Sequence, residues 1–386
     1  MAITNKQIDV DAILANGFSG SYRPNEVLFL LQKTHLDATP TAEKERLIQS
    51  GAKHYSQMIS IEHSPSERHL QLFATALAQN ATRMATEVQM LAQRLAQEFT
   101  APIVLVSFVR AGVPLGVLLY HALADLSVEA VHYGISIVRD RGIDYAALET
   151  IVAKHGAQSL VFVDGWTGKG AISKQLEQSL GQDPRFAHPT RDCLPLVTLA
   201  DVGGCAWLAA SGDDWLIPSG ILGSTISGLI SRSICIGDAL TAETVNNDNL
   251  DQWHGCIEYH HLAEFDQSTQ FIDQINQIRR QLTAVDAAKW TRQQRQKQQQ
   301  QASHVIQQIA DDYQISNLNR IKPGIAEATR AILRRVPEVI LLRDEKDPDT
   351  ALLRHLAEQT NTPIKIVGEA LAPYRAVTLI QKLGAA

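Results

Sequence analysis

The chain has 386 residues, 45% hydrophobic and 20% charged, with a formal net charge of −6. That length exceeds what one core organises and points to two domains, while the negative charge excludes general polyanion binding, so any nucleic-acid site must be local. Cys193, Cys205, Cys235 and Cys256 lack CxxC spacing, which argues against structural zinc and suits reduced core residues in the cytoplasm.

In chain order, the start MAITNKQIDVDAIL has neither the basic opening nor the apolar run of a secretory signal, and no stretch approaches the roughly 18 apolar residues of a membrane span. Small residues from Asn16 to Tyr22 read as a loop before an apolar helix or strand at 27–31. From Ser64 to Glu98, Leu70, Phe73, Leu77, Met84, Val88, Leu91 and Leu95 recur near a 3.6 period and predict a scaffold helix. The centre then alternates: strands at 103–108, 130–138, 160–163 and 194–199, with helices at 115–124, 145–154 and 171–180 between them. This succession predicts a parallel sheet covered on both faces, with ligands at the carboxyl ends of its strands. After Arg279 the composition turns polar, ending in a run of glutamines to Gln301, which reads as a helical linker. The tail predicts a helix at 325–335, a strand at 339–343, a helix at 349–359, a strand at 364–367 and a final helix after Pro373.

Three strand ends gather unusual residues. Asp164, Gly165, Trp166, Thr167, Gly168, Lys169, Gly170 and, on the following helix, Ser173 form a phosphate cradle, in which backbone N–H groups, the helix dipole and two hydroxyls face an anion. A P-loop is excluded, because Val163 stands where its first glycine belongs and Gly170 where Ser or Thr belongs; an ordinary βα turn with an Asp cap is the plainer alternative. Ser107, Arg110, Ala111 and Gly112 form a second tight strand-end loop suited to pyrophosphate, and Arg139, Asp140 and Arg141 a third, which a merely solvated loop would also explain. Trp253-His254-Gly255-Cys256 raises a rival class, a thiol hydrolase, against the plainer reading of a buried cysteine and a structural histidine.

Together these segments resemble the type I phosphoribosyltransferases, in particular the phosphoribosyltransferase-like proteins associated with tellurium-resistance gene clusters, some of which are labelled cysteine proteases. The resemblance covers Ser19 to about His261 and, through a Pelota-like tail, the rest of the chain. It implies that Asp164 to Gly170 hold the ribose and 5-phosphate of phosphoribosyl pyrophosphate, that Arg110 to Gly112 hold its pyrophosphate, and that Mg²⁺ at Asp164 bridges the two. Arg139 and Arg141 become lid charges. Asp201, at another strand end, becomes a candidate to meet an acceptor the sequence does not name, with catalysis resting on Asp164, Arg110 and Asp201; Ser227, Ser231 and Arg232 form either an anion nest or a packed turn. One departure is that Gly165 replaces the usual second acid in a shortened turn. The resemblance thus implies a glycosyltransferase, with a non-catalytic ribosyl-phosphate sensor and a cysteine hydrolase as alternatives.

From Arg320 onward, eleven Lys or Arg stand against eight Asp or Glu, so positive charge concentrates in the tail. This part resembles the Pelota-like and kink-turn-binding domains, which implies RNA contacts at Lys322, Gly324, Glu327, Thr329 and Arg330. The expected architecture is α/β: a parallel sheet of the type I phosphoribosyltransferase kind with an added N-terminal helical segment over 1–278, a Gln-rich linker over 279–314, and a small αβα Pelota-like domain over 315–386. Expected partners are a sugar phosphate, structured RNA and a second copy of the chain, and no membrane.

Overall fold

The computed structural model describes residues 9–235 and 239–382. Six strands build the central sheet: β1 (Leu28–Phe29), β2 (Ile103–Phe108), β3 (Ala130–Ile135), β4 (Leu160–Val163), β5 (Leu196–Asp201) and β6 (Leu208–Ser211). They lie in the order β1-β3-β2-β4-β5-β6 with every pairing parallel, and a short Trp166–Thr167 strand pairs parallel with the end of β5. Each of β2, β4 and β5 is buried along its whole length, as a sheet covered on both faces requires.

The covering helices are α1 (Glu67–Glu98), α2 (Val113–Asp125), α3 (Tyr145–His155), α4 (Ala171–Leu180) and α5 (Ser268–Arg279). Alternation along β2 divides them: Ile103 and Leu105 join the apolar cluster of α1, α2 and α5, whereas Val104, Val106 and Phe108 join that of α3 and α4. The chain passes from β2 to β3 on one side, then to β4 on the other. The loops after β2 and β4 therefore open where strand order reverses, which is where such sheets admit ligands.

The tail folds as α6 (Arg292–Asp312), β7 (Ile321–Pro323), α7 (Ile325–Ile332), β8 (Pro337–Leu342), α8 (Ala351–Gln359), β9 (Ile364–Ile366) and β10 (Ala376–Ile380). Its sheet has the order β7-β10-β8-β9, with β10 antiparallel to both neighbours. The helix expected after Pro373 is thus a strand. Ala-Val-Thr-Leu-Ile is a short run, buried throughout and flanked by partners on both edges, too brief for a stable helix and suited to a central strand. The Gln-rich segment is a continuous helix held by a Thr291/Gln294 capping box, and its second half buries Ala302, Val305, Ile306, Ile309 and Ala310 against β7, β8 and β10.

On the opposite face of this small sheet, α7 and α8 merge with the core of the larger part: Ile325, Ala328, Leu352 and Leu353 belong to the same apolar cluster as α1 and α2. Polar contacts reinforce that docking. Asp214 accepts hydrogen bonds from the Ile325 and Arg375 amides at 2.8 and 2.7 Å, Tyr374 donates to the Gly168 carbonyl at 3.0 Å, and Arg335 pairs with the buried Glu45. Among the described residues no helix is long and apolar enough to cross a membrane.

Candidate active site

The strand-end loops do converge. A cavity of about 330 Å³ is walled by Arg110, Ala111, Asp164, Thr167 to Ser173, Arg139 and Arg232 from the large part and by Glu327, Arg330 and Arg334 from the tail. Gly112 makes this possible, since any Cβ there would fall 2.1 Å from the Val163 carbonyl oxygen. Asp164 accepts the Gly165 amide at 2.8 Å; burial, opposed by that bond, pushes its carboxyl up to about 7. Arg110 donates to Glu62 at 2.6 Å and to the Ile230 carbonyl at 2.8 Å. Lys169 donates to the Leu318 and Ile321 carbonyls, and burial lowers it to about 7.

Other expected ligand residues are engaged by bonds within the protein. Ser107 is fully buried and bonds His132 Nε2 at 2.7 Å and the Gly112 carbonyl at 3.2 Å. Asp201 is fully buried and accepts from Thr167, the Cys205 and Ala206 amides and Trp290 Nε1, so it faces no acceptor. Ser173 donates to the Cys205 carbonyl at 2.7 Å, Ser227 to that of Gly223 at 2.8 Å and Ser231 to that of Arg232 at 2.7 Å. Trp166 lends its ring to Arg330, 4.7 Å away. Asp140 points its side chain outward, 69% exposed. The expected RNA contacts turn inward: Lys322 lies buried 3.5 Å from Glu327, Thr329 bonds back to the Ile325 carbonyl at 2.7 Å, and Gly324, at φ +87°, fits its backbone against Asp214. Among the described residues no group of three or more His, Cys, Asp or Glu could hold a metal ion.

A second centre was not assembled by the sequence reading. An antiparallel bridge pairs Ile234 with Gly255 through two backbone bonds of 2.8 and 2.7 Å, which places Cys235 and His254 directly opposite each other on one face. Their side chains interact, each favouring the charged form of the other. The imidazole is fixed from behind: Nδ1 meets Ser136 Oγ at 2.6 Å, and the His254 amide donates to Asp144 Oδ2 at 2.6 Å. Asp144 is itself held as the N-cap of α3. Burial alone would raise the Cys235 thiol and depress His254. In Cys235 this is outweighed by His254 and by Arg141, whose guanidinium lies 3.7 Å from the sulfur, so the thiol falls below its ordinary value. In His254 it is outweighed by the Asp144 and Cys235 charges, so the imidazole rises.

Cys235 stands alone among the cysteines in this respect. All four are free. Burial lifts Cys193 to about 11 and Cys205 and Cys256 to about 12. Cys256, the cysteine that the sequence pairs with His254, is therefore the inert one. The local signal for Cys235 was only a lone cysteine among small residues, and its partner lies nineteen positions away across a bridge that no motif announces.

These elements define a parallel-sheet α/β protein with a buried cysteine–histidine centre and a docked C-terminal sheet unit. The chain belongs to the family described as tellurite-like stress resistance cysteine protease StiP, which it matches over residues 20–276. Residues 300–382 match the PELOTA RNA binding domain. A relative from Acinetobacter baylyi (strain ATCC 33305 / BD413 / ADP1), named cysteine protease StiP, is 65% identical over 384 residues and covers all of both chains. These names overturn the phosphoribosyltransferase expectation: family and relative alike are cysteine proteases, and nothing in them supports a glycosyltransferase or phosphoribosyl pyrophosphate as substrate. The inward bonding of Ser107 and Asp201 gives the correction its physical side.

Proposed function

We propose that this chain is a cysteine hydrolase of peptide bonds with Cys235 as nucleophile, His254 as base, and Ser136 and Asp144 as the groups that orient and charge the imidazole. The observation that carries this is the Cys235–His254 pair, because a raised imidazole and a nearby guanidinium shift the Cys235 thiol toward the thiolate, the nucleophilic form. In the reaction the Cys235 sulfur attacks the scissile carbonyl carbon while its proton resides on His254. The tetrahedral adduct collapses with transfer of that proton to the departing amine, leaving a thioester. Water, deprotonated by His254, attacks the thioester, and the released thiolate recovers the proton.

The relative's name and the family description support this reading and its setting in stress resistance. The match to an RNA-binding domain supports RNA as a partner of the tail, reached by its undocking, since its expected contacts face inward as described. The strand order and strand-end loops support a sheet of the type I phosphoribosyltransferase kind, used here as scaffold for different chemistry. Four free cysteines suit the cytoplasm.

The test is alkylation by iodoacetamide at pH 6 to 7 with mass-spectrometric site mapping, alongside peptidase assays on denatured protein substrates. Cys235 should label first, and Cys235→Ser should abolish both labelling and hydrolysis while Cys256→Ser leaves both intact. Hydrolysis that survives Cys235→Ser and is lost in Cys256→Ser would refute the assignment.

A further inference from the structure

The strand-end cavity has a neighbour. A second cavity, of about 290 Å³, lies at the seam between the large part and the tail, walled by the segment 59–66, by Leu222, and by Leu333, Arg334 and Leu356 of the tail. It shares Arg110, Arg232 and Arg334 with the first cavity and nothing of the Asp164-to-Ser173 turn. Its apolar side is built from Ile59, Leu222 and Leu356, each at most 5% exposed, while Ile61 and Leu333, 60% and 47% exposed, form an open rim.

Of the four lysine and arginine side chains that line this cavity, three are offset within the protein. Arg110 bonds Glu62, whose charge also supports Arg334, and Arg232 donates to the Tyr55 and Met58 carbonyls. Lys44 is the exception. It stands on the helix Thr41–Gln49, 6% exposed, and among the described residues its ammonium donates to the Ser60 hydroxyl and to no other group. An ammonium carries three donors, so two remain to be met. Burial and the charges of Arg232, Arg334 and Arg335 push it down to about 8; Glu45 opposes them more weakly and is itself bonded to Arg335. A buried ammonium among arginines is destabilising until an anion joins it. One cation calls for one negative charge, and the apolar walls call for a body that an inorganic anion lacks.

We propose that this cavity binds a monocarboxylate with an apolar body, its carboxylate on Lys44 and Ser60 and its body between Ile59, Leu222, Leu356 and the rim. Ser60 Oγ accepts from Lys44 and keeps its own proton to donate. A free medium-chain organic acid and the C-terminal residue of a peptide both present that chemistry. Neither Cys235 nor His254 lines the cavity, so the proposal is independent of the thiol chemistry.

The test is isothermal titration calorimetry of the full chain with octanoate, with its neutral analogue octanamide, and with N-acetyl-leucyl-leucine as a peptide end. Octanoate should occupy one saturable site about tenfold more tightly than octanamide, and equimolar inorganic phosphate should not displace it. Lys44→Met should remove that preference. Ile61→Ser, at an exposed position, should weaken octanoate and octanamide alike by about threefold, whereas Ile366→Ser, exposed on β9, should change neither. Tighter binding of the dipeptide than of octanoate would assign the site to a peptide end, and the reverse order to a free acid. The proposal is overturned by an absence of saturable binding of either acid, by equal binding of octanoate and octanamide, by displacement with phosphate, or by a preference that persists in Lys44→Met. Should that variant fail to fold, an unchanged octanoate affinity in Ile61→Ser would overturn it equally.

Discussion

Cys235 and Asp164 are both buried ionisable groups, and their neighbours move them in opposite directions. Around Cys235 a neighbouring imidazole and a guanidinium outweigh burial. Around Asp164 one backbone N–H does not, and the carboxyl stands at about 7. A folded-state pKa raised from near 3.8 means that the native protein binds more protons than the unfolded chain across that interval. The associated stability is complete at low pH and is lost as pH rises toward 7. Asp164→Asn keeps an oxygen for the Gly165 amide but never ionises. Its melting curves should show a stability gain over the unaltered chain that grows between pH 5 and pH 8, by on the order of 2 kcal/mol. A gain independent of pH would show that Asp164 is already ionised at pH 5. Asp164 was legible in the sequence because an acid at the tip of an apolar strand is a local pattern. Cys235 was not, because its chemistry depends on a pairing with His254 that exists only after Ile234 meets Gly255.

The elements whose pattern is local were the most legible. Strands Ile103–Phe108 and Leu160–Val163 and helix Ala171–Leu180 stand at the residues their apolar runs and flanking glycines predict. In the tail, one segment escaped this reading and another only in part, for opposite reasons. Ala376–Ile380 is too short for periodicity to separate helix from strand, and its position between β7 and β8 decides the matter. The segment Arg292–Asp312 is the helix that its polar, glutamine-rich composition suggests, but composition gives only a linker, whereas Val305, Ile306 and Ile309 form a one-sided apolar stripe. That stripe makes α6 a structural layer of the tail, with a measurable consequence. Ile309→Ala, at a position 5% exposed, should cost about 3 kcal/mol in denaturant unfolding of the tail, whereas the exposed Gln300→Ala should cost almost nothing. Equal and small effects would make α6 no more than the linker that its composition suggests.

At the scale of the whole molecule, the tail's expected RNA face is spent on the protein itself. Lys322, Thr329 and Gly324 are buried, Glu327 and Arg330 face the internal cavity, and the apolar surfaces of α7 and α8 continue the core of the large part. The whole-chain charge of −6 told nothing of this, because a net charge does not record which cations are buried, Lys322 among them. Asp214 is central to that docking. Its buried carboxylate accepts the Ile325 amide at the start of α7 and the Arg375 amide ahead of β10, and Arg375 in turn pairs with Asp347 and Asp349. Asp214→Ala would leave two buried N–H groups without acceptors only while the tail is docked, at about 1–3 kcal/mol each. The undocked form does not bear that cost, so the substitution shifts the population toward it. If RNA reaches Lys322 and Arg330 through undocking, Asp214→Ala should bind a labelled kink-turn hairpin about tenfold tighter in fluorescence anisotropy. Adding Lys322→Ala should remove most of that gain, since the lysine would then face phosphate instead of Glu327. Equal affinity of Asp214→Ala and the unaltered chain would show that RNA is read on a surface the docked state already exposes.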